Sequence, residues 1–396
     1  MNRLEIEKNE KSILKPYACF SSDFQRFDTA KHPLRTEFQR DRDRILHSKA
    51  FRRLEYKTQV FLTSKSDHLR TRLTHSLEVS QIARTIGQLL GVNTDLIEAI
   101  SLGHDLGHSP FGHAGERKIQ EILKKNNILY FKHNVQSIKI VELLENKYDY
   151  EGLRLTLPTK EGIIKHTSLP KVLPDYCKDL FIDKEHSVTI EGQIVAIADE
   201  LAQITHDLND YIEYKIIEIK DFINHALFNE INEFYKTERA QEYAEEKEEI
   251  TFKFFESYQN PTSSNIHILL SCLTDFLVSK LVEHSSENLK KCNEKALELS
   301  KVYINYNEPL RSIIEDFHSL LNKKILSDYR INKMDERGKW IISELFDYYQ
   351  KYPHQLHEVT KEKYEKEGII VIADYIAGMT DRYIMERFER ILDLKD

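Results

Sequence analysis

Histidines and acids crowd one short stretch of the chain. In LGHDLGHSPFGHAGERK (102–118), His104 and Asp105 are adjacent, and His108, His113 and Glu116 follow closely. His75 stands upstream in RLTHSLEVSQIAR, and Asp199 downstream in the apolar run IVAIADELA. A catalytic divalent cation wants imidazole nitrogens and carboxylate oxygens, with positions left open for water or substrate. His75, His104, Asp105 and Asp199 supply two of each. Neighbouring residues on a helix point about 100° apart, so His104 and Asp105 can reach one ion only at a helix end or an irregular turn. Gly103, Gly107 and Pro110 allow such a turn. Taken singly, His75 reads as a cap or surface residue and Asp199 as half of an ion pair. Together, in the order H…HD…D, they are hard to explain as independent accidents of a core. A carboxylate in an apolar helix is costly unless it is paired or bound to a metal. His113 and Glu116, three residues apart, share a helical face. A carboxylate beside a histidine fixes its tautomer and raises its pKa, which suits a general acid.

The elements that must position these groups are helical. Leu77, Ile82, Ala83, Ile86 and Leu90 recur at three- and four-residue steps, and Asn93-Thr94 caps a following helix carrying Leu96, Ile97, Ile100 and Leu102. Residues 113–124, 134–147 and 190–214 also read as helices. The expected fold is all-α, with one short β-hairpin allowed at Leu153–Leu157, where apolar residues alternate. The chain divides into an N-terminal arm (1–34), a core holding nearly all the suspicious histidines (35–215) and a helical C-terminal region (216–396). In that last region GIIVIADYIAGMTDRY (368–383) is apolar enough to dock back on the core.

Composition narrows the class. The chain has 396 residues, 40% hydrophobic and 31% charged, with a net charge of -8 and a mean hydropathy of -0.52. These values fit a soluble globular protein. Arg40, Arg42, Arg44, Arg52 and Arg53 alternate with Asp41 and Asp43, which suggests an ion-pair network, one that could cross a subunit interface, and not a nucleic-acid stripe. Four scattered cysteines with no CxxC spacing argue against a zinc ribbon or disulfide framework and suit a reducing, cytoplasmic setting. No signal peptide and no membrane-length apolar run is present. GxxxxGK[ST], GxSxG and HExxH are all absent.

H…HD…D is the signature of HD-domain metal phosphohydrolases. Within them the chain resembles the deoxyguanosinetriphosphate triphosphohydrolase-like group. The resemblance rests on RTEFQRDRDRILHSKAFRRLEYKTQVF (35–61), DHLRTRLTHSLEVSQIAR (67–84), AISLGHDLGHSPFGHAGE (99–116), FKHNVQSIKIVELLE (131–145), VAIADELAQITHDLND (195–210) and DYIAGMTDRY (374–383).

That resemblance implies a residue-by-residue assignment. His75, His104, Asp105 and Asp199 would bind one divalent metal, with Mn²⁺, Mg²⁺, Fe²⁺ and Zn²⁺ all open and a second Mg²⁺ able to arrive with the nucleotide. A metal-activated water would attack the α-phosphorus of a deoxynucleoside triphosphate, dGTP or several of them, giving the deoxynucleoside and triphosphate. His113 and Glu116 would form the catalytic dyad, with His113 facing the leaving 5′ oxygen, and His133 would contact the phosphates. Arg72 would fork onto phosphate. Gln59 would bind the sugar 3′-hydroxyl, Val60 would crowd a 2′-hydroxyl, and Asp207 would contact the sugar. Homo-oligomers, hexamers or tetramers, and a nucleotide or single-stranded DNA effector are implied as well. Gln203 departs from the family, which carries tyrosine at that place, and this bears on substrate choice. Two other readings stand beside the first: an HD phosphohydrolase for another nucleotide, and a degenerate HD protein that senses nucleotides or binds DNA.

Overall fold

The structure is a computed structural model. It describes residues 2–26, 30–59, 70–178, 180, 186–239, 266–290 and 301–392. Among them it is all-α, with no strand or sheet. The chain forms two compact units: residues 1–198, 294–302 and 333–396 make the first, and residues 199–293 and 303–332 the second.

In the first unit, α1 (Arg3–Ile13), α2 (Glu37–Leu46) and α3 (Lys49–Arg53) precede α4 (Arg72–Leu90) and α5 (Thr94–Gly103). Helix α4 starts where the Thr71 hydroxyl accepts the Thr74 N–H and stops at Gly91, whose φ of 72° is left-handed. Its buried stripe is Val79, Ile82, Ala83, Ile86 and Leu90. Leu77 falls off that stripe and stays 49% exposed, because it lies two residues from both His75 and Val79 and so points away from their face. Asn93 caps α5, accepting from the N–H groups of Asp95 (3.1 Å) and Leu96 (3.3 Å). Helix α5 packs against α2, α4 and the later α8 (Leu157–Lys165). Ile97 and Ile100, fully buried on it, are each worth about 1.5–3 kcal/mol of transfer free energy.

Helices α6 (Gly112–Lys124) and α7 (His133–Lys139) carry most of the remaining site histidines. The stretch predicted as helix over 134–147 ends early, in a π-turn at Ile140–Leu144. Leu153–Leu157 is not a hairpin; it is an irregular segment leading into α8. Its backbone is claimed by side chains: Arg44 Nη1 donates to the Leu153 carbonyl (2.6 Å), Arg26 Nη1 to that of Arg154 (2.7 Å), and the Thr156 N–H bonds Asp41 (2.9 Å). Arg154 also sits at a φ of 47°, so no extended partner can form a ladder with it. The arginine-rich stretch finds acids in its own chain: Arg40 pairs with Glu37 (2.9 Å), and Arg42 with Asp43 (3.1 Å) and Asp95 (3.3 Å).

The chain's last helices close this unit. The span Tyr329–Lys351 (α13) enters it at Lys333, followed by α14 (Glu358–Glu367), α15 (Ile370–Ala377) and α16 (Asp381–Leu392). Ile341, Ile342, Phe346, Ile372, Ile376 and Ile384 bury a common core with Ile119 and Leu123 of α6.

The first unit also contains the start of α9 (Ile190–Glu213), which runs from Ala198 into the second unit at Asp199. There α10 (Ala226–Phe234) packs against α11 (Ile266–Lys290) and α12 (Glu308–Ser327). Phe222, Phe228 and Phe317 form its aromatic centre, with ring centroids 5.1–6.4 Å apart. No described helix is long and apolar enough to cross a membrane.

Candidate active site

The irregular turn expected at His104-Asp105 exists. His104 caps the C-terminus of α5 and opens the turn over 104–107, with Asp105 next in it. A Cβ at Gly107 would lie 2.1 Å from the His133 carbonyl oxygen and 2.3 Å from the Ser137 nitrogen. Only glycine lets α7 come this close. The contact is pinned by the Gly107 N–H donating to Ser137 Oγ (2.9 Å), which in turn donates to the His104 carbonyl (2.8 Å).

Around this turn lies a row of imidazoles. Ring centroids are 5.8 Å apart for His75–His104, 5.0 Å for His104–His166 and 5.2 Å for His166–His133. His133 stacks on His108 at 4.0 Å, and His108 meets His113 at 5.6 Å. Except for His113 these rings are buried. His104 Nδ1 donates to the Ser101 carbonyl (2.6 Å). Its Nε2 therefore carries a lone pair, set 3.4 Å from Asp105 Oδ1. Two acceptors facing each other in a buried site fit a shared cation, so the donor chemistry suits a divalent metal.

Asp105 is also held by Arg72 Nη1 (2.8 Å) and His108 Nε2 (3.0 Å). Burial alone would raise its pKa, but His108, His104 and Arg72 outweigh burial and keep the carboxyl well below the usual range. Burial, and then Arg72, push His108 well down, so it is neutral at pH 7. Glu116 lies 2.8 Å from His133 Nδ1. That hydrogen bond overcomes the effect of burial and lowers the Glu116 pKa. His113 keeps its surface open to solvent, yet the surrounding protein and then Arg72 push it down to about 4. Glu116 opposes this and does not prevail, so the raised pKa predicted for His113 is absent from the ligand-free geometry. His108, His113 and Glu116 still bring ligating atoms within 4.8 Å of one another.

Gln59 ends the described part of the KTQ segment, half-buried, with its side-chain oxygen buried and lacking a hydrogen-bond partner. Val60 lies outside the described residues. Asp199 and Asp207 lie two turns apart on α9, both half-buried, in the second unit. Asp207 and Gln203 line a cavity of about 110 Å³ with Tyr211 and His318.

Three participants escape a reading of the sequence. His166 ends α8 in IIKHT, and its only signal is a histidine following a buried apolar pair. Lys57 is buried, donating to the carbonyls of His108 and Ala377 (3.1 Å to the latter). Burial lowers its pKa to about 7, assisted by Arg53 and Arg72. Asp381 accepts from the N–H groups of Thr58 (2.7 Å) and Phe111 (2.9 Å). The segment 368–383 makes these contacts within the first unit, together with those of Asp374, which binds Lys139 and Gln136.

A buried H…HD turn with convergent imidazole and carboxylate groups fits the HD-domain phosphohydrolase family. Residues 72–204 match the HD domain, and residues 304–390 match the phosphohydrolase-associated domain. Similar full-length proteins named deoxyguanosinetriphosphate triphosphohydrolase-like protein include one from Leptospira interrogans serovar copenhageni, 35% identical over 98% of this chain and 99% of the relative. One from Rickettsia bellii is 36% identical over 91% and 92%, and one from Nitrosomonas europaea 34% identical over 98% and 100%. The chain belongs to the deoxyguanosinetriphosphate triphosphohydrolase-like family of HD-domain proteins.

Proposed function

We propose that this chain hydrolyses deoxynucleoside triphosphates, dGTP or several of them, to the deoxynucleoside and triphosphate. The observation that carries this reading is the setting of Asp105: one buried carboxylate shared by His104, His108 and Arg72, beside an open His113. A simple phosphatase does not need an added arginine on its metal-binding carboxylate. The reading gives His75, His104, Asp105 and Asp199 to one divalent cation and keeps 35–215 as the stretch that does the chemistry.

When bound, such a cation lowers the pKa of water and polarises a phosphoryl oxygen. Arg72, through its partnerless buried Nε, gives charge and donors to the phosphates. His113 delivers a proton to the leaving 5′ oxygen. Its pKa near 4 suits that task poorly in the free protein, but a triphosphate anion beside it favours the charged ring and raises the value. Glu116 holds His133 toward the phosphates. Gln59 offers its oxygen to the 3′-hydroxyl, Val60 excludes a 2′-hydroxyl, and Asp207 binds the sugar with Gln203 nearby in place of the family's tyrosine. The protein acts in the cytoplasm as a homo-oligomer, a hexamer or tetramer, and takes a nucleotide or single-stranded DNA as effector.

The test is a panel of dNTPs and NTPs with Mn²⁺, Mg²⁺, Fe²⁺ and Zn²⁺, with products separated by ion-exchange chromatography. Deoxynucleoside plus triphosphate is expected, and folded His104→Ala and Asp105→Ala should lose it. Release of diphosphate or monophosphate instead would move the chain to another nucleotide substrate. Turnover by both variants at the wild-type rate would end the metal-dependent reading.

A further inference from the structure

We propose that Asp381 is a positioning residue for the reaction: its one buried carboxylate holds Gln59, at the sugar 3′-hydroxyl, in register with His113, at the 5′ oxygen of the same sugar. What Gln59 and His113 do rests on the proposed function; the clamp itself stands on geometry.

Asp381 opens α16 and is 2% exposed, so it does not meet substrate. Its two oxygens are divided between two segments. Oδ1 accepts the Phe111 N–H (2.9 Å). Oδ2 accepts the Thr58 N–H (2.7 Å) and the Thr58 hydroxyl. Thr58 directly precedes Gln59, and Phe111 stands two residues before His113. The two segments run side by side: a Cβ at Gly112 would lie 3.6 Å from the Gln59 carbonyl oxygen and 3.5 Å from Arg72 Nη2. Lys57 ties the same pieces together a second time, donating to the carbonyls of His108 and Ala377.

The backbone held by this clamp is strained. Phe111 has a φ of 61° and a ψ of 25°, and Gly112 follows at a φ of 56°. A left-handed conformation is unfavourable for a bulky residue and persists only where its surroundings impose it. Here they are the Asp381 bond to the Phe111 N–H and Gly338 behind the ring, where an added Cβ would meet Phe111 Cγ at 2.7 Å. Helix α6 begins at Gly112, so the direction of His113 follows from these two residues. With the bond to Asp381 gone, Phe111 is free to relax toward negative φ and swing the first turn of α6. A deoxyribose carries its 3′-hydroxyl and 5′ oxygen at a nearly fixed separation. The groups that meet them must keep a matching separation, and a short side chain bonded to both backbones sets it.

Asp381→Asn in the full-length chain tests this. The amide keeps the volume and one acceptor oxygen, so one of the two backbone N–H groups is left facing an NH₂ donor. The readouts are kcat and KM for each dNTP and its 2′,3′-dideoxy counterpart. Wild type should prefer the dNTP by about 10-fold or more. In Asp381→Asn, kcat should fall about 100-fold, and the preference should shrink to within about 2-fold of unity. That ratio does not depend on how much of the protein is folded, so a merely structural aspartate would leave it unchanged. Glu191→Ala is the matched control. Glu191 is buried and likewise accepts two backbone N–H groups, from Cys19 (2.9 Å) and Asn93 (3.0 Å), and its loss should leave the ratio at the wild-type value. Thr58→Val removes one donor to Asp381 and should show both changes to a smaller degree, which serves if Asp381→Asn does not fold. Without substrate, the amide resonances of both Gln59 and His113 should shift in ¹⁵N-labelled Asp381→Asn. An unchanged ratio in the folded variant, a shift confined to one of the two residues, or a wild type that does not distinguish the two sugars overturns the clamp. Both resonances shifted in a protein that releases no triphosphate sinks the proposed function and leaves the clamp standing.

Discussion

Replacing Gly107 by alanine should damage both stability and chemistry. The added Cβ would stand 2.1 Å from the His133 carbonyl oxygen, where ordinary contact begins at 3.4 Å. The first turn of α7 would have to retreat by about 1 Å, and overpacking of that kind costs about 1–3 kcal/mol. The same retreat pulls Ser137 from the Gly107 N–H, and an unsatisfied buried donor adds about 1–3 kcal/mol. The expected loss is therefore about 2–6 kcal/mol, read by urea denaturation. His133 would move relative to Asp105 by the same amount, and a 1 Å misplacement can lower turnover about 100-fold. Gly368→Ala is the control. Gly368 has a φ of 74° with no atom within 4 Å of an added Cβ, so backbone strain alone should cost about 1–3 kcal/mol and leave turnover per folded molecule unchanged. A Gly107→Ala protein as stable as wild type to within about 0.5 kcal/mol, with wild-type turnover, would refute the claim that this close approach sets the site.

Four further outcomes follow from the same geometry. Asp381→Ala strands the N–H groups of Thr58 and Phe111 and should cost about 2–5 kcal/mol, with faster hydrogen exchange at both amides. Lys57, lowered to about 7, binds its proton more weakly folded than unfolded. Its penalty is full below pH 7 and relieved as pH rises toward the unfolded value of 10.5, so wild type should gain up to about 1.4 kcal/mol per pH unit over Lys57→Met in that window; parallel curves would contradict it. Glu116 has a lowered folded pKa, so its contribution is present above 4.5 and lost as pH falls through the folded value; the stability gap to Glu116→Gln should close on acidification. His113 should titrate near 4 by NMR in the metal-free protein and move upward when tripolyphosphate is added.

Local chemistry was readable where the cause of a structure is local. Asn93 announces the start of α5 because capping needs only three or four residues. The His104-Asp105 turn follows from glycines and a proline within six residues. Leu153–Leu157 misled because its alternation is real, while the groups that occupy its backbone come from Arg26, Asp41 and Arg44, more than 100 residues away. Lys57 carries no local signal, since its acceptors at His108 and Ala377 are set by tertiary structure. His166 carried no spacing signal, and its meaning arises only from facing His133.

Lys57, Thr58 and Phe111 all wait for partners between Ala377 and Asp381. A ribosome must therefore pass Asp381 before the histidine-bearing turn can acquire its final supports. Premature termination even slightly upstream would leave every proposed metal ligand in place and still yield a loosened centre. In such a protein, inventorying the ligands says little about competence, because the completing pieces are made well after the ligands.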